Sequence, residues 1–287
     1  MNLLKKETAA AYSLVYRFPL FDYADENGVI NACITGIDPY SREFFKAALW
    51  STQREGYFLN IDVCASQRDC ERLKRDYPEL FFTEKLSDKK EIFYNAALCE
   101  SSLPKGKSYG FVFSSGRSFE RWEEVIKSAK KAVILSEGEF SGKLGANAEI
   151  VRTDELDGEK FLKESGIEAL ALALFCGFNG DNREKREAFF KNDFYYRSSA
   201  ASMLFWTIRK KQGASTEETE ENMKLEHRRW NAFTRTEGCR WGKIRDDRKK
   251  THPCLVAWDM LEREIQLYDL NPIRTVNRFL QYVDKEY

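Results

Sequence analysis

The chain reads as an α/β protein in which a parallel-sheet domain is followed by an all-helical one. Three observations predict this. Short apolar runs at 29–35, 57–63, 109–113, 132–135 and 148–151 alternate with helical patterns, as strands do when helical crossovers join them in parallel. Beyond about residue 157 only helical periodicity remains. At 287 residues the chain is long enough for two domains of roughly 100–200 residues each. The expected divisions are 1–155 for the sheet domain, 156–213 for a helical connector and 214–287 for the final helical domain.

Residues 11–21 (AYSLVYRFPLF) are expected to supply an edge strand, and 25–28 (DENG) a turn. The run 29–35 then ends at Gly36. A helix follows from Ser41, with Phe44, Phe45, Ala48, Leu49 and Trp50 at helical spacing. Residues 68–80 form a charged helix stopped near Pro78, and 118–131 a helix between the third and fourth strands. The later helices are expected at 157–178, 182–191, 195–211, 216–236, 254–268 and 273–287. Ser215 and Glu218 make a capping box for the fourth of these, with Gly213 as a linker position. The stretch 199–208 (SAASMLFWTI) offers a small-residue and aromatic face suited to domain or dimer packing, and to relaying a signal between domains.

Composition excludes several classes. The net charge is zero, which argues against a general nucleic-acid coat. No apolar run approaches the roughly 18–20 residues of a membrane span, and 167–178 is read as a buried helix. The first residues carry charges where a signal peptide is apolar, so a cytoplasmic location is expected. The seven cysteines are odd in number, scattered and without a CxxC pair. Neither a disulfide framework nor a metal site is therefore expected.

Strand, Gly36, then helix is the arrangement that holds a pyrophosphate at a helix N-terminus. The fingerprint G-x-G-x-x-G is broken, however, because Gly36-Ile37-Asp38-Pro39-Tyr40-Ser41 puts Asp38 and Ser41 at the second and third glycines. Over about 29–155 the chain resembles the TrkA-N-like Rossmann domains of bacterial regulators. A scaffold that no longer binds a dinucleotide and one that retains NAD or another nucleotide both stay open. Gly36, Ser41 and Arg42 are the candidate anion contacts, together with Ser115 and Arg117 at a second strand end. The plain reading of that second place is a polar loop with Ser118 as a helix cap.

The densest chemical signal lies further on. Both histidines of the chain, His227 and His252, bracket a window with nine cations against three acids, and Trp230, Trp241 and Trp258 lie in or next to it. Cations among aromatics suit a flat anion such as a nucleotide. The order His227-x-x-Trp230, Gly238, Trp241-Gly242, Lys250-Thr251-His252-Pro253, Leu255-Val256, Trp258, Leu261 and an acidic end at 264–269 resembles the ryanodine-receptor (RyR) repeat domain, in the version found in bacterial proteins. That resemblance covers about 216–287. It implies a helical module that binds a nucleotide-derived ligand (ADP-ribose-like, a cyclic nucleotide or NAD), in signalling or antiphage defence.

The residues themselves fit binding. Glu226, Arg229, Trp230 and Phe233 share one helix face, and an indole with a guanidinium can sandwich a base, worth roughly 1–3 kcal/mol. Arg235, Lys243, Arg245 and Lys250 are candidate phosphate contacts. The expected ligand set is Glu226, His227, Arg229, Trp230, Arg235, Trp241, Lys250 and His252. Each has a plainer reading. Trp230 and Trp258 serve equally as core anchors, His227 as a packing residue, His252 as a loop tie, and 248–250 as a solvated charge run.

No nucleophile elbow, P-loop, HExxH or kinase signature is present. A non-enzymatic ligand sensor is the expected function, with a small nucleotide-like ligand and a homodimer or protein partner. An NAD(P)-dependent oxidoreductase and a purely structural interaction module are the alternatives.

Overall fold

The computed structural model describes residues 4–81, 94–100, 106–115 and 119–283. Six parallel strands form one sheet in the order β3-β2-β1-β4-β5-β6. They are β1 (Val29–Thr35), β2 (Phe58–Ala65), β3 (Tyr94–Glu100), β4 (Phe111–Ser115), β5 (Lys131–Ser136) and β6 (Ala148–Arg152). This is the doubly wound Rossmann order, whose switch point lies between β1 and β4.

Alternation along the strands divides the core in two. Ile30, Ala32 and Ile34 of β1 and Phe111 and Phe113 of β4 face α1 (Lys6–Arg17) and α2 (Pro39–Ser51), where Phe44 stacks on Phe113 at 4.2 Å. Cys33, Val112 and Ile134 face the other way, against Trp122 and Ile126 of α4 (Phe119–Ser128). Helix α3 (Gln67–Asp76) follows β2, and its cap Ser66 accepts from the Asp69 amide.

The second half is helical: α5 (Gly158–Glu164), α6 (Ile167–Asn179), α7 (Arg183–Phe189), α8 (Asp193–Lys211), α9 (Glu220–Thr236), α10 (Arg263–Gln266) and α11 (Leu270–Val283). A two-residue ladder joins β7 (Arg240–Trp241) to β8 (Thr251–His252). Every residue from Ala200 to Ile208 is buried, so α8 is the axis of this half.

Several expectations need correction. The segment 11–21 is no edge strand: most of it continues α1, and Ala9, Ala10 and Ala11 sit in the core. Small residues let α1 lie close to its neighbours, and a Cβ on Gly158 would meet Ala9 carbonyl carbon at 2.2 Å. The strand β3 was not expected, because YNAALCE lacks a clear alternation. The helix proposed over 157–178 breaks at Gly166, whose φ is 72°. The capping box at Ser215 gives way to Thr219, which accepts from the Asn222 amide at 3.3 Å. The helix at 254–268 is instead two 3-10 turns and the short α10. Because 200–208 is buried inside this chain, that face is not free for a dimer. The expected cap Ser118 and the end of the last helix, 284–287, lie outside the described residues.

The two halves share a single core that runs from Leu4 through Trp50 and Phe205 to Val276. At the seam α9 packs on α2, with Phe233 against Trp50 at 6.4 Å and Trp50 against Tyr12 at 5.2 Å. Polar groups cross with them. Lys46 Nζ lies 3.1 Å from Glu43 and 3.3 Å from Glu237, Arg197 also pairs with Glu237, and Thr8 donates to Glu43 at 3.2 Å. The Tyr12 hydroxyl donates to the Arg197 carbonyl at 3.1 Å. Burial raises the Glu237 carboxyl, but Lys46 and Arg197 outweigh it and hold the group below the usual range.

A shared core predicts joint unfolding. Phe233→Ala should cost about 3–5 kcal/mol and move one transition, seen together by far-UV and near-UV circular dichroism in denaturant. Two separated transitions would show that the halves fold independently.

Candidate functional site

Gly36 follows β1, Ser41 and Arg42 lie in the first turn of α2, and Ser115 ends β4, so four of the five residues proposed there lie on elements flanking the switch point. Arg117 lies outside the described residues. Thr35 donates to the Ser114 hydroxyl at 2.7 Å, which in turn donates to the Ser115 carbonyl at 3.1 Å, tying the ends of β1 and β4. Asp38 is the N-cap of α2, and its Oδ1 accepts from the Ser41 amide at 2.7 Å. Arg42 turns its Nε toward Glu43 Oε1 at 3.5 Å.

The second place lies on α9 and the segment after it, and its residues divide sharply by depth. Glu226 is 2% exposed and accepts from the Ser202 hydroxyl at 3.0 Å, the Trp206 indole at 2.7 Å and the Arg229 guanidinium at 2.8 Å. Arg229 is 1% exposed, and one of its nitrogens, Nη1, has no hydrogen-bond partner. Arg235 is equally buried, 3.9 Å from Glu79. The expected contact of Glu226, Arg229 and Arg235 with a surface ligand is therefore corrected: their charges are committed to the interior.

His227 is buried as well. Its Nε2 meets the Val256 carbonyl at 3.0 Å, and its Nδ1 faces Asp269 Oδ2 at 3.6 Å. Burial first, then Arg235 and Arg228, press its pKa down to about 4 despite the Val256 bond, so the ring is neutral. The Asp269 carboxyl moves the opposite way, raised well above its usual range by burial and by Glu226.

From His227 an aromatic series leads outward. Trp230 stacks on His227 at 5.8 Å, Trp258 meets His227 edge-on at 5.8 Å, and His252 meets Trp230 edge-on at 4.9 Å. Trp241 pairs with His252 across the β7–β8 ladder and is 51% exposed. Trp258 belongs to the core at 7% exposure. Gly242 makes the ladder feasible, since a Cβ there would lie 2.7 Å from Thr251 Cβ. The Cys254 amide donates to His252 Nδ1 at 3.1 Å, so the proton of the neutral ring sits on Nε2. Burial and Arg245 lower the His252 pKa and keep it neutral.

Lys250 does not reach outward for a phosphate. It is the one left-handed non-glycine residue among the described residues, with φ 53°, and its ammonium donates to the Glu237 carbonyl at 2.8 Å. It thus closes the C-terminus of α9, a favourable place for a cation. Gly238 beside it has φ 81°, and a Cβ would meet the Asp76 carbonyl at 2.9 Å. The exposed basic loop is left with Arg240, Lys243, Arg245, Arg248 and Lys249, of which Arg245 pairs with Asp247 and Lys249 with Asp246. Ile244 at its tip is 79% exposed.

Asp269 and the Val256 carbonyl were not singled out from the sequence. The signal for Asp269 was the acid closing the motif, whose partner lies 42 positions earlier in the sequence at His227. Asp38 was legible as a broken glycine, and Asp-Pro-x-Ser is also a helix-start pattern. Among the described residues no group of three or more His, Cys, Asp or Glu is placed to hold a metal, and no helix is long and apolar enough to cross a membrane.

Comparison with known proteins gives a family for this part of the chain. Residues 206–286 match the RyR domain. The match begins within α8, so Trp206 and its bond to Glu226 belong to it. No curated protein matches the chain. Among solved structures, L-tryptophan dehydrogenase from Nostoc punctiforme is similar at 10% identity and TM-score 0.29, over 82% of this chain. This chain spans 63% of that enzyme's length, and so distant a likeness carries no argument about activity.

Two outcomes follow from the buried groups. Arg229→Ala should lower stability by about 3–5 kcal/mol, because it strands the Glu226 charge. Glu226→Gln with Arg229→Met should be milder, as read from denaturant midpoints. His227 has a folded pKa of about 4 against an ordinary 6.5, so between those values the unfolded chain binds more protons. Stability is lost as pH falls through that window, by up to about 3 kcal/mol from this residue. Asp269, with its pKa raised, works in the opposite sense. Denaturation at pH 7 and pH 4.5 should show the wild type losing more stability than His227→Gln.

Proposed function

Starting from the RyR domain at residues 206–286, we propose that this chain is a non-enzymatic sensor whose RyR-type part binds a nucleotide-derived anion. The observation that carries the reading is the outer end of the aromatic series. There a half-exposed indole, Trp241, lies beside a neutral imidazole, His252, on a loop rich in cations. An exposed indole face offers stacking to a base, the His252 Nε2–H offers a donor to its edge, and Arg240 and Lys243 offer charge to a phosphate. The contact set reduces to Trp241, His252, Trp230 and the loop cations. Glu226, His227 and Arg229 form its support.

The absence of catalysis is part of the proposal. His227 is buried with a contact at each ring nitrogen, His252 already accepts at Nδ1, and burial raises the Cys254 thiol. None of these is poised as a base or nucleophile. The seven free cysteines suit a reducing compartment, and we place the protein in a bacterial cytoplasm, in signalling or antiphage defence. The α/β half is taken as a TrkA-N-like member of the Rossmann group. A bound ligand would act by favouring one packing of the loop against α9 over another.

Thermal-shift measurements with NAD, ADP-ribose, cyclic ADP-ribose and cyclic oligonucleotides test this. At a hundredfold excess over its dissociation constant a ligand should stabilise by about 2.7 kcal/mol. Trp241→Ala should remove the shift while leaving the ligand-free melting temperature nearly unchanged, and His252→Ala should remove it as well. A melting curve unmoved by the whole panel would sink the reading in favour of a protein-docking module.

A further inference from the structure

We infer that Asp38 is a built-in anion: its carboxylate fills the place on α2 where a doubly wound sheet holds a ligand's phosphate, so the α/β half seats the helical half and binds no dinucleotide. The inference concerns the opposite half from the aromatic edge and stands whether or not that edge binds a nucleotide.

In a sheet of this strand order the ligand lies beyond the carboxyl ends of the strands, at the β1–β4 switch, with its phosphate on the N-terminus of the helix after β1. Here that helix is α2, and the Asp38 carboxylate already caps its first turn. Pro39 has no N–H to offer. The Ser41 amide is bound by Asp38 Oδ1 at 2.7 Å, and the Arg42 amide by the Asp38 carbonyl at 3.0 Å. A phosphate entering this turn would meet a carboxylate within hydrogen-bonding range. The Arg42 guanidinium does not offset that charge, because it is turned to Glu43. On the strand side the Thr35 and Ser114 hydroxyls bond to each other across the switch. The residues present therefore do not fit a dinucleotide pyrophosphate.

The same helix shows what the half does instead. After its capped first turn α2 presents Glu43, Lys46 and Trp50 to the seam, where they meet Thr8, Glu237 and Phe233. An N-cap carboxylate, permanently in place, stabilises α2 without a ligand, as a docking helix requires.

The assignment predicts a gain of binding. Asp38→Gly restores the glycine that lets a phosphate approach, and frees the Ser41 amide. Asp38→Asn keeps the cap and removes the charge. The full-length chain and both variants would be titrated with inorganic pyrophosphate by calorimetry and with NADH by fluorescence. At the β1–β4 switch the wild type should bind neither at millimolar concentrations, so any NADH binding it shows should be lost in Trp241→Ala. Asp38→Gly should bind pyrophosphate at least tenfold more tightly than the wild type, with Asp38→Asn between them. If loss of the cap prevents Asp38→Gly from folding, the gain in Asp38→Asn decides. NADH binding that survives Trp241→Ala, or no gain in any folded variant, overturns the assignment.

Discussion

A carboxylate cannot sit dry in a protein core unless charge and donors surround it, and Glu226 is such a group. Ser202 and Trp206 reach it from α8 and Arg229 from its own helix. These bonds set the rotation of α9 about its axis, and that rotation decides what every other side of the helix presents. With Glu226 turned to α8, His227 and Asn231 face the Val256 carbonyl, and Trp230 meets His252. Further along, Phe233 and Glu237 arrive at Trp50 and Lys46. A rotation of one residue step would break the carboxylate's bonds, dismantle the aromatic series and open the seam together.

The depth of this arrangement explains which parts of the site were legible in the sequence and which were not. The strands were visible because their apolar alternation is local, and the switch-point residues followed from strand, glycine and helix in succession. The clustering of histidines and tryptophans was visible for the same reason. Sequence spacing put Glu226, Arg229, Trp230 and Phe233 on one face; Glu226, Arg229 and Phe233 turn inward, whereas Trp230 meets His252. Spacing carried no information about what that face would meet, and a helix covered on most of its circumference turns cationic residues inward as readily as outward. Arg229 thus read as a base-stacking group and Arg235 as a phosphate ligand until the third dimension showed both buried inside the chain. Lys250 misled in a different way, since a left-handed backbone at a lysine is not announced by composition. The β3 strand and Asp269 depend on partners far away in the chain, which periodicity does not register.

The two halves are joined by a seam of mixed character. Trp50 and Phe233 supply apolar contact, while Glu43, Lys46, Glu237 and Arg197 form a chain of alternating charge beside them. Buried ion pairs add less net stability than apolar residues of the same size, but they penalise misplacement heavily. The seam therefore specifies one relative placement of the halves. The loop bearing Trp241 begins where this seam ends, because the Glu237 carbonyl holds Lys250 while the Glu237 side chain holds Lys46.

The bond from Tyr12 to the Arg197 carbonyl spans 185 positions in sequence, which bears on how the chain is made. The first helix lies against α2 and the sheet, but it also packs on α5 and α8, synthesised long afterwards. A ribosome would release the whole parallel sheet while Ala9, Ala10 and Tyr12 still lacked their cover, leaving an apolar flank exposed. Contacts of such long separation slow folding and lengthen exposure to aggregation. The cover of α1 in the nascent α/β half would thus be completed only when the helical half arrived.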